Sequence, residues 1–327
     1  MSSATVHPLV SPWGRFGLYS YFIDAPEPAV VDTGIASSPE EGMIPALEKL
    51  GRSIDEVTWI FLTHGHIDHL GGAKALFDLT GGRAKVVIHE ADAHMLRSRA
   101  GHVEEYTNGR HRYLHNTEGV EQQTRTAEAA ISGEMEPTVL VRGGEIISLG
   151  GDVTVSVLPV PGHTPGSVAY RLSTGDPGAQ NAVFVGDAVQ IHGAANRFPG
   201  YTDPDAYRAS LEYLRDEIRP ERLYLGHPYR GADGEPYGVE LDAAQARRAL
   251  DESLTLESRI RRAVVHYTHD GVAETQSPYS PFERVAAELG YDGDPTLEPS
   301  PFFTTLDGYL ALTTQQTRPE QESQIHG

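Results

Sequence analysis

The chain is expected to form a mixed α/β fold closed by a purely helical segment, and three observations carry that expectation. Apolar, β-branched runs alternate with helix-like segments through the first half of the sequence. Strand-like runs return between about residues 145 and 227. Beyond about residue 240 only helical spacing remains. With 327 residues and 39% hydrophobic content, the chain can fill one large domain with additions, or two domains.

The elements follow in order. "GLYSYFID" and "AVVDTG" read as strands joined by a turn at Pro26 and Pro28. "SPEEGMIPALEKLG" reads as a helix with Ser38 as its N-cap, acidic residues in its first turn and Gly51 at its end. "VTWIFLT" is apolar on both faces, as in a sheet covered on both sides. A helix over Leu70–Leu79, the strand "AKVVIHE" and a helix from about Ala91 follow. Residues 101–137 break the rhythm with a polar stretch rich in His, Arg and Tyr, longer than an ordinary connection. Strands are next expected at "EIISLGGDVTVSVLPV", "SVAYRLS" and "NAVFVGD". A helix over Asp205–Ile218, capped near Thr202 or Asp203, precedes the strand "RLYLGH". The later helices place Leu250, Leu254, Ile260 and Val264 at helical spacing, with shorter segments near Phe282–Leu289 and Phe302–Leu312. His266 and His269 read as ordinary residues of a helix end. The expected organisation is a catalytic domain over 1–240 with an insert at 101–137, a helical extension over 241–314, and a polar tail over 315–327.

Composition narrows the function. The formal charge is −20, and Lys49, Lys74 and Lys85 are the only lysines, so no basic stripe offers itself to a nucleic acid. The absence of cysteine removes disulfides, thiolate ligands and thiol nucleophiles together. The first residues lack a basic segment followed by an apolar core, and no apolar run approaches membrane-spanning length. A soluble, cytoplasmic protein with no membrane or nucleic-acid partner is the expectation.

The chemistry concentrates in "THGHIDH", where His64, His66, Asp68 and His69 crowd one corner between an apolar strand and a helix. In extended backbone, two residues apart is one face, so His64 and His66 are expected to point together. Asp68 and His69 enter the same space from the following turn, and Gly71 and Gly72 clear bulk where the next helix approaches the sheet. Three further strand or turn ends repeat one layout, a small residue and then a ligand-type one: His163 in "PGHTPGS", Asp187 in "FVGDAV" and His227 in "LYLGHP".

In this order, "AVVDTG", "THGHIDHLGG", "PGHTPGS", "FVGDAV" and "LYLGH" resemble the metallo-β-lactamase-fold superfamily over about residues 16–230. The resemblance implies a four-layer αβ/βα sandwich with a dinuclear metal site at one edge between the sheets. It places His64, His66 and His163 on a first metal, Asp68, His69 and His227 on a second, and Asp187 between the two. Asp32 would support the site from behind its ligands. Two divalent cations are implied, with zinc favoured and iron or manganese as alternatives. A metal-bridging hydroxide attacking an acyl carbonyl is the expected chemistry, with Asp68 and Asp187 as the catalytic carboxylates that orient the water and handle its proton.

Within the superfamily, the thioesterases like hydroxyacylglutathione hydrolase and the lactonases fit best. The absence of cysteine and the presence of Asp187 disfavour β-lactam hydrolysis, and the acidic charge disfavours phosphodiester cleavage in nucleic acids. An iron-dependent, persulfide-dioxygenase-like redox enzyme on the same ligand shell is the alternative. A small-molecule acyl substrate is expected to meet the insert through Tyr106, Arg110, His111, Arg112, Tyr113 or His115. His192, Asn196, Arg197 and Tyr201 in "QIHGAANRFPGY" are expected to line its binding site. The helices beyond 240 would cover the site or form a homodimer surface.

Overall fold

The computed structural model describes residues 4–13, 16–104, 113, 117–175, 181–194, 196–269, 271–295 and 300–317. Two six-stranded sheets organise them. The first runs β1 (Thr5–Trp13), β2 (Phe16–Asp24), β3 (Ala29–Val31), β4 (Trp59–Phe61), β5 (Lys85–His89) and β6 (Val139–Val141), in that spatial order. The second runs from β7 (Ile146–Ser148) through β8 (Thr154–Pro159), β9 (Val168–Ser173), β10 (Ala182–Phe184) and β11 (Arg222–Tyr224) to β12 (Glu240–Asp242). Strands β3 to β6 are parallel, so each needs a crossover that covers a sheet face with helix.

Side-chain alternation divides the layers. Tyr21, Ile23, Val31, Phe61 and Val87 of the first sheet meet Val155, Val157, Tyr170 and Phe184 of the second in a core between the sheets. Their neighbours Phe22, Val30, Ile60 and Val86 face outward onto Leu47, Leu70, Leu76 and Leu96 of the flanking helices. On the far side, Ala169, Val183, Leu223 and Leu241 pack against Tyr207, Leu211, Leu250 and Leu254. Helix, sheet, sheet and helix make the expected four layers. Each of these large apolar side chains contributes about 1.5–3 kcal/mol by leaving water.

Four departures from the sequence reading have physical causes. Strand β1 carries Pro8 and Pro12, residues that weaken a strand pattern, and it lies at a sheet edge, where a missing N–H is tolerated. The short strands β6 and β12 have only three residues each, too few to show alternation. Ser38 does not cap a helix by accepting from its first turn. Its hydroxyl instead accepts from the Ile35 N–H at 3.0 Å, and the helix begins with a π-turn over Pro39–Met43 before α1 (Ile44–Lys49). The single helix expected over Leu70–Leu79 is two, α2 (Ile67–Leu70) and α3 (Ala73–Leu79), separated at Gly71 and Gly72.

Gly71 shows why the break sits there. A Cβ at this position would lie 2.3 Å from the Ile67 carbonyl oxygen and 2.4 Å from that of Ala130, both backbone atoms. Gly71→Ala is therefore expected to lower stability by about 1–3 kcal/mol, read as a fall in the denaturant midpoint at constant m-value.

The insert and the later helices close around this frame. Helices α4 (Ala93–Arg97) and α5 (Thr117–Ala130) lie on the first sheet's side, and Ala127, Ala130 and Ile131 pack directly on Ile67 of the motif. Helix α6 (Pro204–Tyr213) starts at Asp203, whose carboxylate accepts from the Asp205 and Ala206 N–H groups, as expected for its cap. Helices α7 (Ala243–Thr268), α8 (Glu283–Leu289) and α9 (Pro301–Thr317) join the outer core of the second sheet through Leu250, Ile260, Phe282, Phe302 and Leu306. Tyr113 of the insert stacks on Phe303, ring centroids 5.0 Å apart, so insert and C-terminal helices meet.

Candidate metal centre

Strand β4 stops at Phe61, so His64 and His66 sit in the bend beyond it rather than on the strand. Their rings still meet, 4.8 Å apart and edge to face. His66 keeps extended backbone (φ −75°, ψ 153°) and starts helix α2, whose single turn carries Asp68 and His69. Two hydrogen bonds between the sheets fix the rim beneath: Tyr170 donates to the Leu62 carbonyl at 2.8 Å, and Tyr21 donates to the Leu225 carbonyl at 2.5 Å. The first fixes the end of β4, before His64, to β9 of the other sheet, and the second fixes the end of β11, before His227, to β2.

The seven residues singled out in the sequence converge. His64, His66 and His163 offer ligand atoms within 4.8 Å of one another, as do His64, His69 and Asp187, and Asp68, His69 and His227. In the last region Asp187 Oδ1 lies 3.2 Å from His69 Nε2 and 3.6 Å from His227 Nε2. Asp68 Oδ2 lies 3.1 Å from His227 Nε2 and 3.9 Å from His69 Nε2, and the two imidazole nitrogens are 3.3 Å apart. Four ligands set tetrahedrally at zinc–nitrogen distances would stand roughly 3.3 Å from each other. Asp187 also reaches the other group, its Oδ2 3.7 Å from His163 Nε2.

Proton placement tests whether a cation fits. The Thr63 hydroxyl donates to Asp32, so its oxygen accepts from His64 Nδ1–H at 3.1 Å. His163 Nδ1–H donates to the Gly200 carbonyl at 2.6 Å. Both rings therefore turn a bare Nε2 lone pair inward, and these nitrogens face each other at 3.2 Å. Two lone pairs at that distance repel unless positive charge lies between them. Asp187 Oδ1 is likewise buried, facing His69 Nε2 at 3.2 Å without a hydrogen bond of ordinary geometry among the described residues. The donor set of neutral imidazoles and carboxylates is one that zinc, iron or manganese accepts.

The electrostatics agree. Burial, reinforced by neighbouring imidazoles, holds His64 and His66 well below the usual histidine range, and burial lowers His163 too. Around Asp187 and Asp68, burial opposes charge, but His227 and His69 outweigh it and keep both carboxylates ionised. The same carboxylates, with Asp32, overcome burial at His69 and raise it. The field on this side favours a positive charge.

Several supporting residues carry no signal in the sequence. Asp92 is fully buried and accepts from Gly65 N–H (2.9 Å), the Thr164 hydroxyl (2.7 Å) and Gly166 N–H (2.8 Å), tying the "THGHIDH" loop to the "PGHTPGS" loop. Gln190 brackets Gly200, donating to its carbonyl at 2.8 Å and accepting from its N–H at 2.6 Å, which fixes the acceptor of His163. Helix α9 reaches the same loop, where the Thr305 hydroxyl donates to the Pro199 carbonyl at 2.7 Å. Asp32, which the resemblance did point to, has a left-handed φ of 58° and accepts from His69 Nδ1–H at 2.8 Å. Gly226 precedes His227 because a Cβ there would meet Asp187 Oδ1 at 2.4 Å.

The loop expected to line a substrate site lies otherwise. Tyr201 is fully buried, stacked on Tyr207 at 4.1 Å with its hydroxyl on Tyr309, and is a core residue. Arg197 pairs with Asp292 at 2.6 Å on the surface. His192 is half-buried among the charges of Glu252, Arg259 and Asp233, toward α7 rather than the histidine cluster. Asn196 is buried. Tyr106, Arg110, His111, Arg112 and His115 lie outside the described residues.

Known proteins place this architecture. The hydroxyacylglutathione hydrolase of Synechococcus sp. (strain JA-2-3B'a(2-13)) is 30% identical over 215 residues, 64% of this chain and 64% of that protein. The chain thus spans a little under two thirds of that relative's length. The hydroxyacylglutathione hydrolase of Hyphomonas neptunium is 26% identical over 81% of this chain and 82% of its own. In structure, a metallo-beta-lactamase family protein of Thermus thermophilus superposes with a TM-score of 0.67. It covers 96% of this chain and 93% of its own at 21% identity, a likeness of fold. The family model for the metallo-beta-lactamase superfamily matches residues 13–227, and the chain belongs to that superfamily.

Proposed function

We propose that this chain is a dinuclear metal-dependent hydrolase of acyl substrates, a thioester, a lactone or a related ester. One observation carries the reading: Asp187 faces both ligand groups, Oδ1 toward His69 and His227 and Oδ2 toward His163. His64, His66 and His163 would hold one cation, and Asp68, His69 and His227 the other. Bound there, the pair of cations would supply hydroxide near neutral pH and polarise an acyl carbonyl.

The chain's own residues do the rest. Asp68 and Asp187, kept ionised by their histidine neighbours, are acceptors for the proton released by the attacking water. Water adds its oxygen to the acyl carbon, the acyl–sulfur or acyl–oxygen bond breaks, and the leaving group takes up the proton. His66, Asp68 and His227 keep partial exposure while His64 and His69 are buried, so the substrate approaches over the former three. The names of the relatives make hydroxyacyl thioesters of glutathione the first substrates to try. Among the described residues no helix is long and apolar enough to cross a membrane.

The test is a panel of glutathione and coenzyme A thioesters, lactones and a chromogenic β-lactam, with metal content measured in parallel. Hydrolysis of a thioester or lactone, lost on chelation and restored by zinc, iron or manganese, is the expected result. Oxygen uptake with a persulfide and no hydrolysis would overturn it.

A further inference from the structure

Helix α9 turns one face to the loop that carries Gly200. Pro301, Thr305, Gly308 and Tyr309 recur at helical spacing, and each meets a residue of 199–202. A Cβ at Gly200 would stand 3.1 Å from Pro301 Cβ, and one at Gly308 would stand 2.5 Å from the Thr202 carbonyl oxygen. The Tyr309 hydroxyl lies 3.0 Å from that of Tyr201. Among them sits Thr305, fully buried, whose hydroxyl donates to the Pro199 carbonyl at 2.7 Å and accepts from Tyr201 N–H at 3.1 Å. It grips the backbone on both sides of Gly200. A helical threonine often turns its hydroxyl back to the carbonyl four residues earlier, as Thr304 does to Ser300 at 3.1 Å. Thr305 directs its hydroxyl across to the loop instead.

The loop in turn holds a histidine of the site. The Gly200 carbonyl accepts from His163 Nδ1–H at 2.6 Å, and the Thr202 and Asp203 N–H groups donate to the Gly162 carbonyl at 2.8 and 3.1 Å. The His163 ring and the backbone just before it are thus both fixed by this segment. His64 and His69 take their support elsewhere, from Thr63 and Asp32.

We propose that Thr305 is a positioning residue for His163, acting through the loop 199–202, so that the C-terminal helices form part of the half-site of His64, His66 and His163. This rests on the dinuclear metal reading above. Buried throughout, Thr305 acts only through the loop.

The test compares Thr305→Val with Thr305→Ser in the full chain. Zinc affinities are read in two steps by titrating the metal-free protein against a chromophoric chelator. Valine, of nearly the same shape, is expected to weaken one step about tenfold, the low end for loss of an outer partner of a metal ligand, while the other step holds. Serine keeps the hydroxyl and should restore the wild-type value. Gly308→Ala raises helix propensity yet crowds Thr202, so it should weaken the same step. A second arm needs no metal. Gly200 N–H is bonded to Gln190 Oε1 and Thr202 N–H to the Gly162 carbonyl, so neither bond involves Thr305. Their hydrogen exchange in the metal-free protein should quicken about tenfold with valine. Unchanged zinc steps in Thr305→Val and Gly308→Ala would overturn the proposal and leave the metal reading standing. Equal weakening in Leu306→Ala, which removes buried packing from the same helix, would also overturn it, because general loosening of α9 would then suffice. Wild-type protein that takes up no zinc, yet loosens at Gly200 and Thr202 on Thr305→Val, would remove the metal reading and keep Thr305 as the support of the loop beneath His163.

Discussion

Replacing Asp187 by asparagine is expected to reduce turnover by on the order of 10³-fold or more and to lower the metal-to-protein ratio. Asparagine has nearly the same shape, which matters in a spot where even a Cβ at Gly226 would stand 2.4 Å from Asp187 Oδ1. What changes is chemistry. One carboxylate oxygen becomes an NH₂ group, which donates hydrogen bonds and offers no lone pair to a cation. On one side that group would meet His69 Nε2 and His227 Nε2, now 3.2 and 3.6 Å away, and on the other His163 Nε2 at 3.7 Å. The negative charge shared by both ligand groups disappears in either orientation. His66→Ala is expected to act on one group only, removing an imidazole 4.5 Å, centroid to centroid, from that of His163. Metal analysis alongside kcat/KM checks both variants. Asp187→Asn with wild-type activity and full metal loading would refute the assignment.

The convergence of these histidines and aspartates was legible in the sequence because they come in short motifs attached to strong strand signals. His64, His66, Asp68 and His69 fall within six positions, and His163, Asp187 and His227 each follow a small residue at a strand or turn end. The backbone route was less legible: β4 ends at Phe61, so the two histidines converge through a bend held by Asp92 rather than through strand alternation. Asp92 and Gln190 were invisible because each acts alone, away from the motifs. Asp92 joins residues 27 and 74 positions away, a relation no local window contains. The loop after Asp187 misled for the opposite reason. Its His, Arg and Tyr look suited to a binding surface, but Tyr201 is claimed by the aromatic core and Arg197 by an acidic partner. The helices beyond Ala243 were expected from their spacing, whereas their contact with the loop that holds His163, through Thr305, was not.

Asp32 carries the second large effect, and two substitutions separate its parts. Asp32 Oδ1 accepts from Thr63 N–H at 2.8 Å, and Oδ2 accepts from the Thr63 hydroxyl and from His69 Nδ1–H, each at 2.8 Å. Thr63 and His69 are both 1% exposed, so no water replaces a lost acceptor. Asp32→Ala orphans at least two buried donors at about 1–3 kcal/mol each. It also puts alanine at a φ of 58°, where aspartate and asparagine are tolerated better. A stability loss of about 3–6 kcal/mol is expected, enough to unfold a marginal protein, read from denaturant curves in the presence of chelator. Asp32→Asn keeps the backbone preference and one acceptor for Thr63 N–H, but turns an NH₂ group toward His69 Nδ1. That ring must then carry its proton on Nε2, the nitrogen facing Asp187 and His227, and lose it as a ligand. The asparagine variant should therefore stay folded while binding zinc about 10–100-fold more weakly, measured against a chromophoric chelator. If asparagine matched the wild type in zinc affinity while alanine unfolded the chain, Asp32 would be holding the β3–β4 corner together and doing nothing for the proton on His69.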